Sequence, residues 1–407
     1  MKKSIIIASL LLMAQTAISQ TFTSYTTIDG LINDNVLDVS VASNGNVWFG
    51  TQLGVSEYDG TTWTSYNQAG YPGMADDNIL SIFVDNAGDT WIGTDYGTSV
   101  FNGTAWTTYT TTDGLDNNKV QCINEDGLGN MWFGTINGLS KFDGTNWTTF
   151  GTADGLPFGG VNSITIATNN EVYLGTGLSG VAIYNGTSFS TITENDGLIS
   201  NKIRAVAFAP NGKRWVGTTD GITVLDNSNS YLTNHTAIYT LPAPDTLNPV
   251  EDVKIDGNGV VWAGIYVDYL VTEGGVCAYN GSQWFEFDVS DGIAGPVIRA
   301  LDIAANNEVW VATSTGVTKI GEHSLGIQTQ DVLTLNIFPN PSSDKLTIEL
   351  TETNTNLEIE IYSIALKKLM SIEVFSGQST VEVDISDLKV GMYIIKVGDI
   401  SQKIIKI

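Results

Sequence analysis

Basic residues, histidine, cysteine and proline are all scarce in this chain of 407 residues, and each scarcity removes a class of function. Lys and Arg number 18 against 44 Asp and Glu, for a formal net charge of −26, nearly all of it on residues 21–331. A surface that acidic repels phosphate backbones and anionic headgroups, so nucleic acid is not an expected partner. There are two histidines, His235 and His323, placed by the pattern in a long loop and in an exit linker. A general base needs partners within hydrogen-bond reach, and no clustered histidine supplies them, so no catalytic residue is assigned. No His/Cys spacing suggests zinc and no stretch fits a calcium loop, so neither metal nor cofactor is expected. Asp76-Asp77-Asn78 and Glu125-Asp126-Gly127 read as turn formers. With so many acids, a carboxylate pair at glycosidase spacing would arise by chance and carries no weight. Proline is low at 9 while glycine reaches 43, which fits many tight turns rather than disorder.

The apolar runs are short as well. Met1-Lys2-Lys3, the run Ile5–Met13 and Ala17-Ile18-Ser19 form a basic start, an apolar stretch and a small-residue cleavage site. Residues 1–19 therefore read as a secretory signal, with the mature chain starting at Gln20. No later segment is long or apolar enough for a transmembrane helix.

What the chain has instead is repetition. Gly45-Asn46-Val47-Trp48-Phe49-Gly50-Thr51 sets a motif that occurs seven times, its aromatic falling at Trp48, Trp91, Trp132, Tyr173, Trp215, Trp262 and Trp310. The steps are 43, 41, 41, 42, 47 and 48 residues, the length of one four-stranded propeller blade. In the second repeat the strands read Ile79–Asp85, Thr90–Thr94, Thr98–Phe101 and Ala105–Thr110, joined by Asn/Asp/Gly turns that supply positive φ at low cost. All ten tryptophans fall on two positions of the repeat, which favours packing between blades over a sugar platform. Thr21-Phe22-Thr23-Ser24-Tyr25 copies the fourth strand Thr62-Trp63-Thr64-Ser65-Tyr66, while the seventh repeat lacks a fourth strand of its own. The N-terminal strand is thus expected to complete the last blade and close a seven-bladed ring. Cys122 and Cys277 fall in repeats three apart, too far for a disulfide, and read as small buried hydrophobes.

Asp113-Gly114-Leu115, Val120–Asn124, Gly129-Asn130-Met131-Trp132-Phe133-Gly134-Thr135 and Gly138-Leu139-Ser140 resemble two-component-regulator propeller repeats. The Asp-Gly-Leu/Ile element recurs at Asp29, Asp154, Asp196 and Asp291. In that family such propellers often form the periplasmic sensor part of hybrid histidine kinases that respond to glycans. Here no kinase or receiver sequence follows, so a role as accessory to a two-component sensing system is one alternative. Streptogramin lyases, a propeller family with histidine chemistry, supply another, a lyase or hydrolase.

After Ile320 the pattern stops, and 321–335 reads as a linker. Lys345–Leu350, Leu357–Tyr362, Leu369–Val374, Thr380–Ile385, Met392–Val397 and Gln402–Ile407 read as strands of a small Ig-like β-sandwich over 336–407. Phe338-Pro339-Asn340-Pro341, Asp384-Ile385-Ser386 and Gly391-Met392-Tyr393-Ile394-Ile395-Lys396-Val397 resemble the C-terminal sorting domain of type IX secretion substrates in Bacteroidetes. That resemblance implies the type IX machinery as partner, and a mature propeller over 20–320 released or held at the outer-membrane surface.

Loop length points to a site. Connections between first and second strands and between third and fourth stay short, while the longest, Thr233–Pro249 and Tyr266–Gly275, flank the sixth repeat on one face. Tyr239, Asp245, Tyr266, Asp268 and Tyr269 are the candidate ligand-binding residues, since aromatic rings and acids suit stacking and hydroxyl contacts. The expected function is a non-catalytic interaction module for glycan or peptide.

Overall fold

Short β-branched and aromatic runs, broken every few residues by Asn-Gly and Asp-Gly, leave the backbone little choice but antiparallel hairpins. The computed structural model describes residues 20–240, 248–267, 273–321, 335–350, 357–363, 367–374, 380–397 and 400–407. The chain divides into two units, Met1–Gly326 and Ile327–Ile407.

The first unit is all-β and propeller-like. Its described residues form seven four-stranded antiparallel sheets, numbered here in chain order by their first strands. These are Val36–Val41, Ser81–Val84, Val120–Glu125, Val161–Ile166, Ile203–Phe208, Val250–Ile255 and Ile298–Ile303. Each first strand neighbours that of the next sheet, and the seventh returns to the first. Sheets 1 to 6 take four consecutive strands. Sheet 7 takes its outer strand, Phe22–Tyr25, from the other end of the unit, paired antiparallel with Gly316–Ile320 from Phe22↔Ile320 to Tyr25↔Val317.

The repeated residues solve repeated problems. Gly134 and Gly264 lie where the first strand of the next sheet packs closely, and Gly50 lies against Ile79, two residues before that strand in sheet 2. A Cβ at Gly134 would sit 2.3 Å from Cys122 Sγ and 2.7 Å from Val161 Cγ1. The threonine that follows caps the second turn: Thr51, Thr94, Thr218 and Thr313 are fully buried and donate Oγ1–H to Gly54, Gly97, Gly221 and Gly316 carbonyls at 2.8–3.0 Å. In the Asp-Gly-Leu element, Asp29 Oδ2 accepts the Thr26 N–H at 2.8 Å, and Leu31, Leu115, Leu156 and Leu198 are buried. Burying one such leucine contributes about 1.5–3 kcal/mol.

The tryptophans hold neighbouring sheets together. Trp310 of sheet 7 lies 5.6 Å from Phe49 of sheet 1, and Trp91 of sheet 2 lies 5.5 Å from Phe133 of sheet 3, centroid to centroid. The indole N–H of Trp132 donates to Asp126 at 2.9 Å, so that aspartate both shapes its turn and satisfies the ring. Cys122 and Cys277 are free thiols, both pushed up in pKa by burial.

The second unit holds a three-stranded sheet, Leu335–Phe338, Lys345–Leu350 and Thr380–Asp384, and a four-stranded one, Lys368–Val374, Leu357–Ser363, Gly391–Val397 and Ile400–Lys406. Ile348 and Val383 from the first pack with Ile359, Ile395 and Ile404 from the second in one core. The strand Leu335–Phe338 was not expected from sequence, where Pro339 follows it at once. The motif at 338–341 is tied to the chain end, because Asn340 Oδ1 accepts the Ile405 N–H and Asn340 Nδ2 donates to the Lys403 carbonyl, both at 2.9 Å.

Candidate functional site

First strands in a ring expose an unpaired backbone edge toward the centre, and unpaired N–H and C=O groups must find partners. Side chains from the neighbouring strand provide several of them. Asp38 Oδ2 accepts the Ile82 N–H at 2.8 Å, Asn124 Nδ2 donates to the Ile164 carbonyl at 2.9 Å, and Thr165 Oγ1 donates to the Val206 carbonyl at 2.6 Å. Asp252 Oδ2 accepts the Leu301 N–H at 2.9 Å and Asp302 Oδ2 the Val41 N–H at 2.7 Å, the latter across the junction of sheets 7 and 1.

These strands enclose a central cavity of about 310 Å³ that all seven sheets line. Six of the first strands carry a register shift at the second residue, a bulge that adds one residue on the first strand only. The residues at that position, with Leu80 of sheet 2, form the rim: Leu37, Leu80, Gln121, Asn162, Arg204, Glu251 and Arg299. Arg204 Nη1 lies 3.3 Å from Glu251 Oε2. Arg299 is exposed, its guanidinium 5.9 Å from the centre of the Tyr266 ring. No carboxylate among the described residues lies within 4.0 Å of it.

Below the rim, Lys254 Nζ sits 4.0 Å from Asp252 Oδ2. Asp252, and less strongly Asp302 and Asp38, hold the Lys254 ammonium charged above its ordinary range. Loss of solvation pushes the Asp38 carboxyl up to about 7 and raises that of Asp302 as well. No histidine lines this cavity, and no group of three His, Cys, Asp or Glu among the described residues is placed to hold a metal.

Of the five residues proposed from sequence, Asp245, Asp268 and Tyr269 lie outside the described residues. The other two are not brought together. Tyr239 is half-buried in the core between sheets 5 and 6, its N–H donating to Asn248 Oδ1 at 2.7 Å and its ring packed over Gly275. That burial pushes the Tyr239 phenol up to about 12. Tyr266 pairs with Gly274, the next residue along, so it projects from the opposite face of sheet 6 toward Arg299 of sheet 7. The second long connection is also shorter than expected, because the strands Val261–Val267 and Glu273–Tyr279 carry the hairpin further out. Ile265 stands there in place of the turn-capping threonine.

His235 is not a loop residue. It ends the strand Tyr231–His235, stacks on Trp215 at 5.3 Å, and accepts the Trp284 indole N–H on Nδ1 at 3.3 Å. Burial lowers its pKa, and its place is structural. His323 lies outside the described residues.

Sequence reasoning missed the rim. Aligning the repeats on the residue after the first apolar of each first strand would have found it, since Arg204, Glu251 and Arg299 share that position. It also missed an apolar arc on the same face. Leu53, Tyr96, Ile136 and Leu178 occupy the second-to-third turns of sheets 1 to 4 and are exposed, Tyr96 at 64%. Phe158, 75% exposed, stands beside Leu178, where its carbonyl accepts from Ser179 Oγ at 2.6 Å.

Residues 30–52, 73–96 and 114–137 match the family described as two component regulator propeller, and residues 336–407 match the secretion system C-terminal sorting domain. No curated protein sequence matches the chain. Among solved structures, PorZ, a surface component of the type IX secretion system of Porphyromonas gingivalis, is similar at a TM-score of 0.60 and 18% identity, over 94% of this chain and 61% of that one. The extracellular domain of the hybrid two-component system BT3049 of B. thetaiotaomicron gives 0.62 and 15%, over 95% and 59%. Virginiamycin B lyase from Staphylococcus aureus gives 0.57 and 12%, over 75% and 99%. The chain spans about three fifths of the length of the first two, and at these identities the likeness speaks for fold alone. No helix among the described residues is long and apolar enough to cross a membrane. The sorting domain addresses the chain to the type IX system and so to the cell surface or the medium. The chain is a propeller protein with two-component-regulator repeats and a C-terminal secretion sorting domain.

Proposed function

We propose that this protein is a non-catalytic binding module for a glycan or peptide, exported by the type IX system. In this reading a seven-bladed β-propeller over 20–320 is followed by a linker, 321–335, and a small Ig-like sandwich, 336–407, that serves as the export address. The ligand lies on the face where the fourth-to-first and second-to-third connections open, beside sheet 6. The observation that carries this is the polar rim of the central cavity, where Tyr266 and Arg299 stand together on the face with the longest connections. Tyr266 stays in the proposed site. Asp268 and Tyr269, which follow it in sequence, and Asp245 in the preceding connection stay as well. Tyr239 acts as packing between sheets 5 and 6. An accessory role beside a two-component sensor is the second reading, favoured by the three regulator-propeller repeats.

The test is a glycan and peptide array probed with the purified protein, and again with a variant in which residues 240–247 and 268–272 are each replaced by a Gly-Asn turn. Specific binding lost in the variant supports the reading and locates the face. Binding that survives loop replacement moves the site elsewhere, and no binding on either array removes the reading.

A further inference from the structure

We propose that Arg204 and Arg299 form a receptor for the carboxylate of an acidic saccharide at the rim of the central cavity. This rests on the binding-module reading above and names the ligand's chemical class.

Residues 21–321 contain nine Lys and Arg, and three of them, Arg204, Lys254 and Arg299, line this one cavity. The fold does not require them there. The equivalent rim position is Leu37 and Leu80 in sheets 1 and 2 and an uncharged amide in sheets 3 and 4, with the same bulge geometry in sheets 1, 3 and 4. An exposed guanidinium with no carboxylate partner among the described residues, in a chain of net charge −26, is a position with a use other than packing.

Charge balance then sets the valence. Glu251 neutralises the Arg204 guanidinium, which leaves Arg299 as the rim guanidinium without a carboxylate partner among the described residues. Deeper in, Lys254 is shared by three carboxylates, Asp38, Asp252 and Asp302, each of which also accepts a backbone N–H, so this layer offers no cation to a second anionic group. A monoanion is matched by this arrangement, and a dianion would leave excess negative charge beside Glu251 and Asp252. A carboxylate is the monoanion that a guanidinium fork grips with two parallel hydrogen bonds. The remainder of the ligand is polar and ring-shaped by the same logic. Gln121 across the rim offers an amide donor and acceptor for hydroxyls, Asn162 offers its amide oxygen while its Nδ2 donates to the Ile203 carbonyl at 3.1 Å, and the Tyr266 ring beside Arg299 offers a stacking face. The cavity, about 310 Å³, is at the small end of ligand pockets and suits one or two sugar units.

The experiment follows the arginine Nε–Hε NMR signals of the 15N-labelled full protein during titration with sodium glucuronate. Glucose, the methyl ester of glucuronate and sodium acetate are titrated in parallel. The expected result is a saturable shift of the Arg299 and Arg204 signals with glucuronate, little response to glucose or the ester, and weaker binding of acetate. Arg299→Leu, which installs the residue that sheets 1 and 2 carry at this position, should weaken glucuronate at least tenfold while leaving the melting temperature unchanged. Absence of a saturable shift, an equal response to the ester, or full affinity in Arg299→Leu overturns the proposal. Acetate binding as tightly as glucuronate overturns its saccharide part. Should these fail while the array still finds a neutral glycan or a peptide, the module reading survives without the carboxylate site.

Discussion

Gly134 shows what one hydrogen atom does in a repeat. Its neighbours Cys122 Sγ and Val161 Cγ1 occupy the space a Cβ would take, and neither can retreat without opening the contact between sheets 3 and 4. Gly134→Ala should cost about 1–3 kcal/mol through overpacking. Gly151 is the control: nothing lies within 4 Å of its Cβ position and its φ of −129° suits any residue, so Gly151→Ala should be neutral or slightly stabilising. Urea denaturation of the two variants beside wild type checks both signs, and equal effects would contradict the close-approach account. Asp38 makes a pH prediction at the same scale. Its carboxyl is held at about 7 in the folded chain against 3.8 for the ordinary group. Between those values the folded chain binds more protons than the unfolded one, so this contribution to stability is lost as pH rises from about 4 to 7. Asp38→Asn keeps an oxygen to accept the Ile82 N–H and has no proton to lose. The melting temperature of Asp38→Asn minus that of wild type should therefore grow between pH 4 and pH 7.5, and a difference that stays constant across that range would show that Asp38 does not titrate this way.

Among the elements, the strand Phe22–Tyr25 does the most with the fewest residues. It gives sheet 7 its outer edge through four paired residues, and Tyr25 stacks on Trp310 with centroids 6.0 Å apart. Removing residues 21–26 leaves Gly316–Ile320 as a bare edge and uncovers that tryptophan, so thermal unfolding should come markedly earlier. An unchanged melting temperature would mean the strand closes nothing. This pairing was legible in the sequence because the missing fourth strand of one repeat and the orphan copy of another are two halves of one pattern. The Gly-Thr motif and the Asp-Gly-Leu element were legible for the same reason: each sheet packs on the next in the same way, so the same residues return. The rim was not legible by that route. Arg204, Glu251 and Arg299 stand where the repeat tolerates anything, and a search for what recurs passes over what differs. His235 was misplaced because its strand, Tyr231–His235, lacks the Trp or Phe that opens the fourth strands of sheets 1 to 4 and 6. Loop length pointed to a face and carried nothing about side-chain direction. Which side of a strand a tyrosine takes depends on register, and that separates Tyr239 from Tyr266.

At the scale of the whole molecule, charge and address are arranged separately. The net charge of −26 comes from 44 Asp and Glu against 18 Lys and Arg, and nine of those 18 fall in residues 21–321, three of them at the central cavity. The second unit carries seven basic residues in 336–407 and a core of its own. The 338–341 motif meets the last strand where Asn340 bonds to Lys403 and Ile405, so the surface a secretion machine would read depends on that strand being in place. Two truncations separate folding from address. Removing 336–407 should leave the first unit folded, since none of its seven sheets takes a strand from that region, yet the product should stay in the periplasm of a bacterium with a working type IX system. Removing only 400–407 should give the same retention, because it takes away both the edge strand beside Gly391–Val397 and the partners of Asn340. Cell fractionation with immunodetection of the first unit reads both. Export of the shorter product at wild-type level would place the recognised surface upstream of the last strand, and export of the longer truncation would remove the sorting role altogether.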